Sequence, residues 1–241
     1  MDCADARPLD EQAYRSLRHA LVEGTFAPGD KLSIRQVATA LGTSAMPART
    51  ALRRLASEQA LDLMPSGTAV VPRLTRAAFT ELSTVRAELE PLALRLAAPQ
   101  LDAHLFGALA DFVATGHAAL AAGDAPAFLA ADRNFLFMIY RAAAAPMLLG
   151  IIEALWLRRG PLFWEARWVL LSRRNARERH QEILQALREG HSDQASAELR
   201  GEIESASAFL LSQMPFADDK PARGRLDALN PVNGRRDVAP A

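Results

Sequence analysis

A chain of 241 residues and 26.2 kDa, half hydrophobic and 23% charged, is long enough for two modest domains and has the apolar material to give each a core. Its 28 Lys plus Arg balance 28 Asp plus Glu, which excludes a uniformly basic coat protein, and its single cysteine, Cys3, excludes an internal disulfide framework or a Cys-rich zinc site. No stretch free of Asp, Glu, Lys and Arg exceeds 13 residues (36–48 and 205–217), and the acidic N-terminus lacks an apolar leader core, so the expectation is a cytoplasmic protein with no membrane partner.

In chain order, residues 10–24 fit a first helix, with Tyr14, Leu17 and Leu21 on one face and Gly24 as its stop. A turn follows at 26–30. Ser33 is placed to cap a second helix, 34–41, whose Ile34, Val37, Ala38 and Leu41 face inward, and Gly42 ends it. Ser44 then caps a third helix, with Pro47 in the first turn, where a missing N–H costs little. Ala48, Ala51, Leu52 and Leu55 make its buried stripe, while Arg49 and Arg53, four apart, share the opposite face. Only residues 60–73 read as strand, a short hairpin turning at Pro65-Ser66-Gly67. From about Thr75 to Met214 the pattern is helical, broken near Pro99, Gly123-Asp124, Pro146, Gly160-Pro161 and Gly190; from 216 the composition predicts a disordered tail. The expected fold is mainly α: an N-terminal domain over 8–75, an all-helical bundle over 76–214 and a tail over 215–241.

The neutral net charge hides a concentration. Between Lys31 and Ser57 there are five basic residues (Lys31, Arg35, Arg49, Arg53, Arg54) and no acid. Two short helices joined at a glycine, the second with an arginine row, suit a helix-turn-helix entering a major groove, with the hairpin as a wing beside the duplex. The alternative is an ordinary helical subdomain whose arginines form a solvated face.

The run Tyr14-x-x-Leu17-Arg18-x-x-Leu21-x-x-Gly24-x-x-x-Pro28-Gly29-Asp30-x-Leu32 resembles the start of a GntR-family winged helix-turn-helix. The resemblance continues through Ser33-x-Arg35-x-x-Ala38-x-x-Leu41-Gly42-x-Ser44-x-x-Pro47-x-Arg49-x-Ala51-Leu52-x-x-Leu55. It implies a double-stranded DNA operator as partner, with Arg35 and Arg49 at DNA-contacting positions and Gly67 at the wing tip. With Ser44 and Arg53 these make the expected DNA-binding set. One departure is Ala45, where the family usually has arginine; the resemblance therefore leaves the operator sequence open, with Arg53 as a substitute donor.

Residues 76–214 resemble the FCD domain of the FadR-like subgroup, through Val85-Arg86-x-x-Leu89-Glu90, Leu96-Ala97-Ala98, Asp132-x-x-Phe135 and Arg179-His180-x-x-Ile183-Leu184-x-Ala186-Leu187 with Gly190. The resemblance implies a homodimer and a small organic acid effector, held by Arg86, Asp132 and His180. It also implies one divalent metal ion (Mn, Ni or Zn) on an Asp and three His. Here Asp132 and His180 match, Leu136 stands where the first histidine is expected, and Glu202 stands where the third is.

Spacing adds an independent check. His180 lies ten residues before Gly190 and Glu202 twelve after it, about 15 and 18 Å along two antiparallel helices at 1.5 Å per residue, so both reach nearly the same height. Three readings stay open: a metal on Asp132, His180 and Glu202; a hydrogen-bonded His180–Glu202 pair, or one of the two against Arg86; or a pocket turned apolar. Arg86 has two readings, an effector anchor or an ion pair with Glu90 at i+4. Trp164 and Trp168 share a helix face, as core or dimer interface rather than a binding cage. No Gly-x-Ser-x-Gly, phosphate loop or His-Glu-x-x-His occurs, so no enzyme is expected; the two resemblances together imply a ligand-responsive regulator that acts by repression. A metal-dependent hydrolase and a non-DNA interaction protein are the alternatives.

Overall fold

The computed structural model describes residues 8–171 and 178–219. Among them are nine α-helices and three two-residue strands, so the fold is mainly helical. Helix α1 (Leu9–Val22) has Asp10 and Glu11 in its first turn, where the helix dipole favours acid, and buries Ala13, Tyr14, Leu17 and Leu21. Gly24, at φ 65°, takes the left-handed conformation after its end. Helix α2 (Ile34–Ala40) starts in a reciprocal cap: Gln36 N–H donates to the Ser33 hydroxyl and Ser33 N–H to the Gln36 side chain. Helix α3 (Ala45–Ser57) buries Ala48, Ala51, Leu52 and Leu55 as its periodicity requires.

Strands β2 (Asp62–Leu63) and β3 (Ala69–Val70) form the hairpin, and β1 (Lys31–Leu32) adds to it, in the order β1-β3-β2, all antiparallel. The β1 partner is absent from the sequence expectation because two residues are too short to show alternation. The core of this head is built from α1, α2, α3 and the sheet, and is completed from outside by Leu157.

The larger domain begins with α4 (Arg76–Ala97), capped by Thr75, and a 3-10 turn at Ala98–Gln100. There follow α5 (Ala103–Ala122), α6 (Ala125–Ala142), α7 (Pro146–Leu171), α8 (Glu178–Arg188) and α9 (Ser192–Gln213). Helix α4 packs on α9, α5 on α6, and α8 on α9 across the Gly190 turn. Helix α5 has the length and mean hydropathy (1.4) of a membrane span, although Asp111 interrupts it and Leu109, Val113, Gly116 and Ala119 are buried in the fold.

Two expectations are corrected. Gly160-Pro161 does not break the chain, because α7 runs straight through it. Pro161 gives up one backbone hydrogen bond, and burial of Trp156, Leu157, Leu162 and Ala166 along the helix offsets the loss. The glycine has a different purpose: a Cβ at Gly160 would collide with the Leu21 carbonyl oxygen and lie 2.8 Å from its carbon, so α1 and α7 touch backbone to backbone there. The chain is also ordered past the expected start of its tail. Phe216 is buried against Phe79, and Asp219 pairs with Arg76 at 2.7 Å. Cys3, residues 220–241 and the side chains of Trp164 and Trp168 lie outside the described residues.

Candidate functional site

On the head, α3 presents Arg49 and Arg53 to solvent, and Arg35 is exposed on α2. Among the described residues none of the three has an ion-pair partner. Arg54 differs. It lies over the Tyr14 ring at 3.5 Å and pairs with Glu11 at 2.8 Å, so α1 holds it within the head. A groove of about 410 Å³ runs between α3 and the hairpin, and Arg49, Arg53 and Gly67 all line it. Gly67, at φ 81°, makes the tight hairpin tip that a side-chain-bearing residue would strain. Ser44 sits at the N-cap of α3, but its hydroxyl makes no capping bond, contrary to the sequence expectation. That leaves the hydroxyl and the first N–H groups of α3 open to an outside acceptor. Met46, 64% exposed at the start of the same helix, is a surface feature that sequence reasoning missed. A large apolar side chain at the tip of an arginine-bearing helix was the available signal.

Inside the larger domain, a cavity of about 60 Å³ is bounded by α4, α6, α7, α8 and α9. Arg86, Asp132, His180 and Glu202 all line it, as does Leu136. His180 and Glu202 share a wall, as their spacing about Gly190 requires, but among the described residues neither pairs with the other or with Arg86. His180 Nε2 lies 3.3 Å from Asp132 Oδ1, and its ring stacks on Phe135 at 4.5 Å. Glu202 lies 3.7 Å from Arg179. Burial pushes the Asp132 carboxyl up, but the hydrogen bond and charge of His180, with Arg159 and Arg86 beyond, outweigh that and hold it below its ordinary 3.8.

Arg86 is committed to Glu90. Its Nε donates to Oε1 at 2.6 Å and its Nη2 to Oε2 at 3.2 Å, while Tyr140 Oη and Trp156 Nε1 donate to the same carboxylate at 2.6 and 2.8 Å. Glu90 is wholly buried, and four donors satisfy it. Burial, then the adjacent Glu90 charge, pushes the Tyr140 phenol well above its ordinary 10. The i+4 ion pair is thus the contact made, with Arg86 still bordering the cavity.

The donor set does not fit a metal ion. Among the described residues no three His, Cys, Asp or Glu side chains converge. Leu136 fills the position of one expected donor and is 5% exposed, and Glu202 faces an arginine. A larger cleft of about 590 Å³, between α1 and α6–α7, is lined by Arg15, Arg18, Arg54 and Arg133, which are already paired with Glu11, Glu153 and Glu23.

The two regions are joined through α7. Its Leu157 completes the head's core, Gly160 abuts Leu21, Glu153 pairs with Arg18 and Glu165 with Arg73. The same helix supplies Trp156 to Glu90 and Arg159 to the cavity.

Comparison with known proteins agrees with this two-part layout. Residues 9–71 match the pattern of bacterial regulatory proteins of the gntR family, and residues 81–205 match the FCD domain. The chain is 33% identical over 153 residues to the HTH-type transcriptional regulator McbR of Escherichia coli (strain K12), covering 64% of this chain and 69% of that protein. It is 30% identical over 95 residues to the HTH-type transcriptional repressor RspR of the same organism, covering 39% and 42%. The solved structure of E. coli McbR/YncC superimposes with a TM-score of 0.79 at 29% identity, covering 86% of this chain and 98% of that one.

Proposed function

The chain belongs to the GntR family of transcriptional regulators, with a DNA-binding N-terminal domain and an FCD effector-binding domain, and from that premise we propose how its own residues read DNA and sense a ligand. Helix α3 enters the major groove. Arg49 and Arg53 reach base edges or phosphates, Arg35 and the Ser44 hydroxyl hold phosphates, and the hairpin turning at Gly67 lies along the backbone. Two copies bind a twofold-symmetric operator as a homodimer. A small organic acid occupies the α4–α9 cavity, and its binding relieves repression.

The observation that carries the reading is that Arg49, Arg53 and Gly67 line one groove while neither arginine has an ion-pair partner among the described residues. Unpaired arginines spaced four apart on an exposed helix face suit a polyanion. Regulation runs through α7, which carries both a wall of the cavity and the backbone contact with α1 at Gly160. A ligand that favours one α7 position shifts the operator-binding equilibrium by its differential affinity for the two states.

The test is to select duplexes from a random library and measure affinity by anisotropy. Arg49→Ala lowers affinity for the selected duplex by about 1–3 kcal/mol, roughly five- to a hundred-and-fifty-fold, with melting temperature unchanged. Affinity for the selected duplex also falls steeply with salt. An Arg49→Ala protein that binds as tightly as the parent refutes the recognition-helix assignment.

A further inference from the structure

Three arginines border the cavity of the larger domain, and two of them are spoken for. Arg86 is held by Glu90 through two hydrogen bonds, and Arg179 lies 3.1 Å from Glu198 and 3.7 Å from Glu202. Arg159 is the exception. It is 7% exposed on α7, and its guanidinium lies 3.8 Å from the ring centroids of both Trp156 and Phe163. Among the described residues no carboxylate comes within 4 Å of it.

The two rings fix the guanidinium and compensate some of its lost hydration, but among the described residues its N–H donors have no protein acceptor. The charged and titratable groups around it do not supply one. From α4 come Arg86 and Glu90, from α6 Asp132 and Tyr140, from α8 Arg179 and His180, and from α9 Glu202. Asp132 faces His180, and Glu90 is saturated by its own four donors. Burial and the Arg86 charge push the Arg159 guanidinium down to about 9, which leaves it charged at neutral pH. The fold thus holds a positioned, buried cation that borders a cavity. Its nitrogens are not among the fully buried unpartnered atoms, so they stay open to an anion that enters the cavity.

We propose that Arg159 anchors the carboxylate of a short-chain aliphatic monocarboxylate, whose alkyl group rests on Leu129, Leu136, Leu199 and Ile203. The proposal rests on the cavity being the effector site, and it names the ligand class and the residue that selects it. The apolar side chains account for the alkyl body. A second carboxylate would meet that apolar wall or the Asp132 and Glu202 charges, and an amine would meet three arginines. Size sets the chain length: the cavity, at about 60 Å³, is well under the roughly 150 Å³ that admits benzene. The forked guanidinium then takes the place that the resemblance gave to a metal ion, and Arg86 buttresses Glu90 behind it.

The experiment uses the full chain and measures melting temperature and calorimetric affinity with acetate and propionate, and with valerate as an oversized control. Their neutral amides serve as controls, at matched ionic strength. At least one acid raises the melting temperature of the parent and its amide does not. Arg159→Met weakens that acid tenfold or more while leaving the ligand-free melting temperature equal or higher, an outcome that a purely structural arginine would not give. Arg159→Lys, which keeps the charge but not the fork, retains part of the affinity. The proposal is overturned if no acid in the set stabilises the parent, if the amides act equally, or if Arg159→Met keeps the full response. Operator affinity measured on the same samples separates the two readings. A protein that binds its operator but ignores the acids refutes only this proposal. Acid binding that depends on Arg159, in a protein that binds no duplex, supports this proposal and refutes the DNA-reading assignment.

Discussion

The head and the cavity handle positive charge in opposite ways. On the head, Arg35, Arg49 and Arg53 stand in water, where an unpaired guanidinium keeps its hydration and can wait for a polyanion at little cost to the fold. In the larger domain every buried charge has to be balanced, so Arg86, Glu90, Tyr140 and Trp156 form a closed network and Asp132 turns to His180. The contrast shows where each region is vulnerable. Charge removed from the head alters binding and spares stability, whereas charge removed beside the cavity alters stability first. It also makes Arg159, buried and unbalanced, the exception that a ligand explains.

The sharpest way to break this contrast is at Glu90. Replacing it with Ala leaves Arg86, Tyr140 and Trp156 without their acceptor and is expected to cost about 3–5 kcal/mol in urea denaturation. Arg53→Ala, on the head, changes stability by about 0.5 kcal/mol or less. A Glu90→Ala protein as stable as Arg53→Ala would abolish the distinction. Next in size is Gly160→Ala, which sets a methyl group against the Leu21 backbone. It should cost about 1–3 kcal/mol, since a backbone neighbour cannot swing aside as a side chain can. Ser33→Ala removes the reciprocal cap of α2 and should cost about 1 kcal/mol, measured the same way.

The smallest effect is a dependence on acid. The Asp132 carboxyl is held below its ordinary 3.8 in the fold, so the unfolded chain binds its proton first as pH falls. Its contribution is complete above 3.8 and is lost as pH drops through the lower folded value. Asp132→Asn should therefore flatten the fall in urea midpoint below pH 4, and an unchanged profile would detach the Asp132–His180 pair from stability.

The head was legible because its information is local. Tyr14, Leu17 and Leu21 repeat at helical spacing, glycines 24 and 42 mark helix ends, and the arginine row falls on one face of a single helix. What escaped was the β1 pairing, two residues long, the exposed Met46, and the lack of a capping bond from Ser44. The cavity draws on five helices, and spacing along the chain says nothing about distance between helices. His180 and Glu202 reached a common wall because one glycine turn relates them, yet their partners, Asp132 and Arg179, were not readable together. Arg159 did leave a signal: Trp156, Arg159 and Phe163 recur at i, i+3 and i+7, which sets an arginine between two aromatic rings on one helix face. Pro161 misled because a proline breaks a helix by its own preference, and α7 is held by tertiary burial on both sides.

That helix is the hinge of the account, since it completes the head's core with Leu157 and walls the cavity with Arg159. The most direct test is native-state hydrogen exchange across a urea series, comparing amides of residues 17–22 in α1 with those of residues 152–159 in α7. If one helix serves both cores, the two sets lose protection in a single step with the same urea dependence. Release of α1 at lower urea, with α7 still protected, would show two independent units and contradict a signal carried through α7.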